Sequence, residues 1–88
     1  MKQFDELVAI IDRLLGPGGC PWDQEQTLVS LRPSVLEEAC ELIEAIDLND
    51  NHMIREELGD LLFNAAFFCK VAEKEERAKL GDVIGELN

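Results

Sequence analysis

Pairs of carboxylates at helical spacing are the residues of this sequence that could do chemistry. Glu57 and Asp60 form one pair, and Asp60 is the only charged residue between Leu58 and Cys69. A buried carboxylate without a partner is unfavourable, or its pKa shifts until it is neutral. The nearest basic residue, Arg55, falls on another face of the predicted helix. We therefore expect a divalent cation to balance this pair.

A second carboxylate pair, Glu38 and Glu41, precedes the first in the chain and is separated by one helical turn. Glu41 lies eight residues before Asn49, and Glu57 lies eight residues after it. Two antiparallel helices joined near Asn49 would place both pairs at the same height. Carboxylate oxygens from two helices suit Mg²⁺ or Mn²⁺ and suit zinc poorly. The predicted metal ligands are Glu38, Glu41, Glu57 and Asp60.

A solvated helix face is the competing interpretation of the first acidic group. Glu37, Glu41 and Glu44 cluster on one side of their predicted helix, and acidic stripes on exposed faces are ordinary. Both interpretations stay open for these three residues. The apolar surroundings of Glu57 and Asp60 favour a site over a structural ion pair.

Two further residues are candidates for contacts with a ligand. Trp22, the only tryptophan, either closes the core at a loop or contacts a planar base. Asn64 stands one helical turn after Asp60 on the same polar stripe. It is either structural or a hydrogen-bond partner of a metal-ligating carboxylate.

Apolar spacing predicts an all-α fold with no strand. A Gly/Pro-rich loop from Gly16 to about Gln26 follows the first helix, and Pro33 either kinks or restarts the second. The predicted helices run from Lys2 to Leu15, from an N-cap at Thr27 to about Leu48, from about His52 to Arg77, and from Lys79 or Leu80 to about Leu87.

The third predicted helix is apolar around its whole circumference, so it must be buried on every side. Its neighbours are too few to enclose it, and we expect a second subunit to cover part of it. Phe63, Ala66 and Phe67 form one arc, which we predict to pack against that subunit. Leu58, Leu61, Leu62 and Ala65 form the other arc.

Length and charge exclude several classes of protein. Eighty-eight residues make a single domain, 1–88, and 8 Lys and Arg against 19 Asp and Glu give a net charge of −11. This charge repels nucleic acids and anionic lipid surfaces. We expect neither a membrane span nor a signal peptide. Three cysteines and one histidine lack zinc-site spacing, and they indicate reduced thiols in a cytoplasmic protein.

Two motifs make the chain similar to a known family. They are the stretch Gly19-Cys20-Pro21-Trp22-Asp23-x-Glu25-Gln26-Thr27 and the acidic E-E-x-x-E and E-x-x-D motifs, which begin at Glu37 and Glu57. In this order and spacing they resemble the MazG family of nucleoside triphosphate pyrophosphohydrolases. The resemblance covers nearly the whole chain.

The resemblance implies a helical bundle completed by dimerisation, as a homodimer or a dimer of dimers. It implies Mg²⁺, with Mn²⁺ as an alternative, and hydrolysis of NTPs or dNTPs to the monophosphate and pyrophosphate. Glu38, Glu41, Glu57 and Asp60 match the family's metal ligands. Glu37 and Glu38 match its catalytic positions, where Glu37 gives acidic support or orients water.

Other functions stay open at this point. Family members generally continue into a basic segment, whereas this sequence ends at Glu86-Leu87-Asn88. A weak or inactive MazG-like domain with a regulatory or dimerising role is therefore one alternative. A related phosphoribosyl-ATP or dUTP/dCTP pyrophosphohydrolase is another, and the loop from Cys20 to Asp23 favours MazG over it.

Overall fold

The computed structural model describes residues 1–87, which form five helices and no strand. The predicted all-α class is confirmed. The four predicted helices are present, and a short additional helix interrupts the segment predicted as a loop. The helices are α1 (Lys2–Leu15), α2 (Pro21–Gln24), α3 (Leu28–Asp47), α4 (Asn51–Lys74) and α5 (Leu80–Gly85).

Helix α3 begins where the sequence predicts and continues through Pro33. Thr27 Oγ1 accepts a hydrogen bond from Ser30 N at 3.0 Å, while Ser30 Oγ accepts one from Thr27 N at 2.9 Å. These reciprocal bonds form a capping box. Pro33 cannot donate to the carbonyl of Val29, and Arg32 Nε donates to that carbonyl instead at 3.0 Å. Helix α3 is therefore continuous through Pro33, and the acidic motif that begins at Glu37 lies within it.

A three-residue turn joins α3 to α4. Asn49 adopts a left-handed conformation with φ of 53°, and Asp50 N donates to Ala45 O. The carboxylate of Asp50 then caps α4 by accepting from His52 N and Met53 N at 3.0 and 3.1 Å. Hydrogen bonds from Asn64 to Ser34, and from Leu28 to Glu75, connect positions progressively farther from this turn. The two helices are therefore antiparallel.

The hydrophobic core lies where α1 and α3 meet the second half of α4. Its buried side chains are Ile11, Leu31, Ala66, Phe67 and Val71. Phe67 is 8% and Ala66 is 4% exposed, so the prediction that their arc packs against a second subunit is wrong for these two residues, whereas Phe63 of the same arc is 38% exposed. Both α1 and α3 supply apolar partners to that arc. The other arc is the more exposed one: Leu58 is 50% and Leu62 is 55% exposed, although Leu61 is partly buried.

Two carboxylates at the C-terminal end of α4 accept hydrogen bonds from the first residues of two other helices. Glu75 Oε2 accepts a hydrogen bond from Leu28 N at 2.8 Å, and Glu73 Oε2 accepts one from Leu80 N at 3.1 Å. These backbone hydrogen bonds are the main reason that the pKa of both carboxyls is lowered. Lys70 adds ion pairs to Asp12 of α1 at 3.0 Å and to Glu73 at 3.2 Å. The C-terminal end of α4 thus connects α1, α3 and α5.

The lowered pKa of Glu75 predicts a pH-dependent stability. A lowered pKa stabilises the fold above the ordinary value of 4.5, and this contribution is lost as the pH falls through the lowered pKa. We expect Glu75→Gln to lower the melting temperature at pH 7 and to flatten its decline below pH 4.5. The exposed Glu76→Gln is the matched control. Equal melting curves for the two variants across this pH range would contradict the capping role.

Candidate metal centre

The facing sides of α3 and α4 bring three of the predicted ligands together. Glu38 and Glu41 of α3 and Glu57 of α4 each offer a carboxylate oxygen, and these oxygens lie within 4.8 Å of one another. All three residues are partly buried. Because the helices are antiparallel and joined by a short turn, residues equidistant from that turn meet. The acidic triad, as we call Glu38, Glu41 and Glu57, follows from that geometry.

Residues 1–87 supply no cationic partner to the triad. The ion pairs in residues 1–87 engage His52, Lys70 and Arg77, and none of them reaches these three carboxylates. Oxygen Oε2 of Glu38 and Oε2 of Glu57 are shielded from solvent and accept no hydrogen bond within that range. Unsatisfied buried oxygens are uncommon and require an explanation. Hard carboxylate donors without a protein cation fit a divalent ion such as Mg²⁺ or Mn²⁺.

Crowding of the carboxylates shifts their protonation. The pKa of Glu57 is raised to about 7, first by a hydrogen bond with Glu41, then by burial, and then by the negative charges of Glu41, Asp60 and Glu38. Two carboxyls form such a bond only when one of them carries a proton. Burial raises the pKa of Glu38, with additional repulsion from Glu41, Asp60 and Glu37. A proton thus partly replaces the positive charge that the chain lacks.

The remaining acidic candidates lie around the triad. Asp60 is exposed and stands outside the group of oxygens within 4.8 Å, yet its charge raises the pKa of both Glu38 and Glu57. Glu37 is exposed, and its charge acts on Glu38. Glu44 is exposed on the same helix. The solvated-face interpretation therefore fits Glu44, whereas Glu41 belongs to the triad and the exposed Glu37 lies close enough to act on Glu38.

Asn64 makes a contact that the sequence analysis missed. Its Nδ2 donates to Ser34 Oγ at 3.3 Å, a contact between helices that fits the structural alternative rather than a hydrogen bond to a ligand carboxylate. Ser34 Oγ in turn donates to Leu31 O at 2.8 Å. Asn64 Oδ1 is buried without a hydrogen-bond partner in the described part of the chain. Ser34 stands one helical turn before Glu38, and this spacing was the available signal for its role.

A cavity of about 180 Å³ lies farther from the α3–α4 turn than the triad does, because Ser34 on its wall precedes Glu38 by four residues and Asn64 follows Glu57 by seven. Trp22 contributes to its wall but is 68% exposed, so the interpretation that it closes the core is wrong. Helix α2 places Trp22 directly after Pro21 at the first helical position. Gln24 donates to Gly16 O, and Lys74 donates to Gln24 O, which fixes the loop. The cavity is lined by Trp22, Asp23, Leu31, Ser34, Phe63, Asn64, Phe67 and Phe68.

Fold and site together define an all-α protein with a carboxylate cluster between two antiparallel helices and an aromatic cavity farther from their turn. Residues 26–88 match the sequence profile of the MazG nucleotide pyrophosphohydrolase domain. The chain therefore belongs to the MazG family, as its motifs predicted. No helix in residues 1–87 combines the length and the apolar character needed to cross a bilayer.

Individual relatives agree with this assignment. The chain is 46% identical over 85 residues to the nucleoside triphosphate pyrophosphohydrolase/pyrophosphatase MazG of Thermotoga maritima. This match covers 97% of this chain and 33% of that protein. It is 42% identical over 89 residues to the nucleoside triphosphate pyrophosphohydrolase of Escherichia coli K12, covering all of this chain and 34% of that protein. The chain thus spans about a third of the length of these curated relatives.

A solved structure supports the fold. The crystal structure of a MazG-related protein from Thermotoga maritima superposes with a TM-score of 0.84 at 30% identity. The match covers 94% of this chain and 71% of that one. The arrangement of helices described above is therefore that of a known MazG-related protein.

The triad predicts a metal affinity that depends on its individual carboxylates. We expect Glu57→Gln to weaken Mn²⁺ binding at least about tenfold, because it removes one charged oxygen donor from the cluster. Glu44→Gln, which changes an exposed carboxylate on the same helix as Glu38, should bind Mn²⁺ like the wild type. Isothermal titration calorimetry measures both. Equal affinities for the two variants would show that the triad is not the metal site.

Proposed function

We propose that this chain is a Mg²⁺-dependent nucleoside triphosphate pyrophosphohydrolase. It would convert NTPs or dNTPs to the monophosphate and pyrophosphate, as a housekeeping enzyme of the nucleotide pool in the cytoplasm. The observation that carries the proposal is the acidic triad, a group of shielded carboxylates without a protein cation in a member of the MazG family. The names of the Thermotoga and Escherichia relatives support the same activity.

Glu38, Glu41 and Glu57 would hold the cation, with Asp60 at the border of the site. A bound divalent cation supplies charge neutralisation of the triphosphate and lowers the pKa of water. Mn²⁺ would serve the same donors. A chain with a net charge of −11 would otherwise repel its substrate, so binding of nucleotide and of cation should depend on each other.

Glu38 and Glu37 are the proposed catalytic residues. Burial raises the pKa of Glu38, which makes its carboxylate a stronger base than an exposed one. In the proposed reaction it accepts a proton from water as the water oxygen bonds to the α-phosphorus and the bond to the β-phosphate bridging oxygen breaks. The exposed Glu37 adds negative charge beside Glu38 and orients the water. Pyrophosphate leaves with the electron pair of the broken bond.

Trp22 and Asn64 are proposed to bind the nucleoside part of the substrate. Both line the aromatic cavity, which would take the base of a nucleotide whose phosphates reach the carboxylates nearer the α3–α4 turn. The exposed indole of Trp22 offers a flat face for stacking.

We also infer that the working form is a homodimer or a dimer of dimers. The more exposed arc of α4, at Leu58 and Leu62, continues a pattern of exposed apolar side chains on α3, which includes Leu36 at 67% and Ile43 at 57% exposure. Burying one such side chain contributes roughly 1.5 to 3 kcal/mol. A second copy of the α3–α4 hairpin, the two antiparallel helices with their connecting turn, offers the same apolar side chains, because a two-fold interface is self-complementary. The result would be a helical bundle shared by two chains.

Substitution of single carboxylates tests the proposed activity. We expect Glu38→Gln and Asp60→Asn to reduce pyrophosphate release from NTPs and dNTPs at least about a hundredfold at saturating Mg²⁺. Circular dichroism should show that the helices persist, because neither change removes a packing contact of the core. Glu44→Gln is the control that should retain activity.

Three outcomes would contradict the proposed activity. Wild-type turnover in either variant would show that the assigned carboxylates are not the site. Absence of pyrophosphate release from every nucleoside triphosphate by the wild-type protein would favour a regulatory domain, and selective release from phosphoribosyl-ATP would favour the related enzyme class.

Light scattering tests the proposed assembly. The wild type should scatter as at least twice the 9.9 kDa chain, and its melting temperature should rise with protein concentration. We expect Leu62→Asp to dissociate or destabilise the assembly, whereas Ile10→Asp, at an exposed position of α1, should leave it intact. Phe67→Asp should prevent folding, because Phe67 belongs to the core. A stable wild-type monomer at micromolar concentration would contradict the dimer.

A further inference from the structure

Helix α2 brings Trp22 to the aromatic cavity, yet it stands apart from the two helices that form most of the cavity wall. Within residues 1–87, no Cα atom of α2 lies within 8 Å of a Cα atom of α3 or α4. At its N-terminal end, Cys20 N donates to Leu14 O at 2.9 Å, which joins α2 to α1. A helix of four residues is too short to be stable alone. The position of Trp22 relative to α3 and α4 therefore depends on side chains that cross this gap.

The four carbonyl groups of α2 each accept a hydrogen bond, and only one of these bonds comes from another helix. Three carbonyls accept from Glu25 and Gln26, the two residues that follow α2, at 3.1 to 3.2 Å. The fourth, Gln24 O, accepts from the ammonium group of Lys74 in the last turn of α4. Carbonyls at the end of a helix need such partners, because the helix itself supplies none. In the described chain, Lys74 is the one side chain of α3 or α4 that hydrogen-bonds to α2.

The charge of Lys74 is directed to this carbonyl and not to a carboxylate. The ion pairs of residues 1–87 engage the basic residues His52, Lys70 and Arg77, and Lys74 belongs to none of them. A cation is favourable at the C-terminal end of a helix, where the carbonyls carry partial negative charge. Lys74 lines neither the aromatic cavity nor the triad. Its hydrogen bond is to the helix that carries Trp22.

We propose that Lys74 is a positioning residue for nucleotide binding, because its ammonium group holds α2 and thereby sets where Trp22 stands across the cavity from α4. This inference rests on the proposed function, in which Trp22 binds the nucleobase. It adds a residue that acts on the substrate only through Trp22. Loss of the ammonium group should therefore weaken nucleotide binding and leave the chemistry at the triad unchanged.

Fluorescence of Trp22, the only tryptophan, tests the inference without any nucleotide. Lys74→Met keeps a long unbranched side chain that favours helix but removes the ammonium group. We expect it to raise the acrylamide quenching constant of Trp22, because the indole loses its fixed place at the cavity wall. Lys74→Arg keeps a cationic donor and should retain the wild-type value. Lys2→Met makes the same change at an exposed position of α1 and is the matched control.

Two results of this experiment would overturn the inference. One is an equal quenching constant for Lys74→Met and Lys2→Met. The other is a lower melting temperature of Lys74→Met with unchanged quenching, since Lys74 would then contribute to stability without positioning Trp22.

Binding of AMP, measured by calorimetry with Mg²⁺, tests whether Lys74 acts through Trp22. We expect Lys74→Met to weaken AMP binding roughly tenfold, the typical effect of one lost hydrogen bond to a charged group. In a Trp22→Ala background, the same substitution should change the affinity no further, because the two residues act as one unit. If the two losses multiply instead, Lys74 acts independently of Trp22 and the inference is overturned.

Kinetics separate the inference from the proposed enzymatic activity. With nucleoside triphosphates, Lys74→Met should raise KM roughly tenfold and leave kcat unchanged. If the wild type binds AMP and shows the expected coupling but releases no pyrophosphate, the inference stands and the proposed activity fails. If the wild type binds no nucleotide, the proposed function fails, and the quenching comparison alone decides whether Lys74 positions Trp22.

Discussion

Mutual repulsion between carboxylates along the α3–α4 hairpin is the constraint on which the rest of the structure depends. Glu38, Glu41 and Glu57 bring their oxygens within 4.8 Å, and the described chain places no ammonium or guanidinium group among them. The pKa of Glu57 is raised to about 7, first by its hydrogen bond with Glu41, then by burial, and then by the negative charges of Glu41, Asp60 and Glu38. A fold that maintains such a cluster must hold its two helices firmly, and it gains most when a cation replaces the proton.

The hairpin is held firmly at both ends. Near the triad, the left-handed Asn49 and the Asp50 cap fix the turn, so the two helices cannot slip past each other. At the far end, the carboxylate of Glu75 accepts from the backbone of Leu28 and sets the same register. Between these ends, the contact of Asn64 with Ser34 continues the register beside the aromatic cavity. The triad and the cavity are therefore parts of one rigid arrangement along the same two helices.

The helices and the triad could be predicted from the sequence, because the helices follow from local periodicity and the triad follows from counting residues from a turn. Placing Glu41 and Glu57 opposite each other required only equal distances from Asn49. Features that depend on tertiary packing could not be predicted from the sequence. Periodicity showed that α4 is apolar all round, but which arc the protomer covers depends on where α1 packs, and Phe67 proved to lie in the core. The orientation of Asn64 depends on a hydrogen-bond partner thirty residues away, which no local pattern reveals.

We infer that the triad holds a divalent cation. Anomalous X-ray diffraction from crystals grown with Mn²⁺ tests it most directly, because the signal locates the metal itself. We expect a strong anomalous peak between α3 and α4, within bonding distance of carboxylate oxygens of Glu38, Glu41 and Glu57. The absence of an anomalous peak at saturating Mn²⁺ would contradict the inferred metal site. In that case the Glu41 and Glu57 carboxyls would still be hydrogen-bonded to each other.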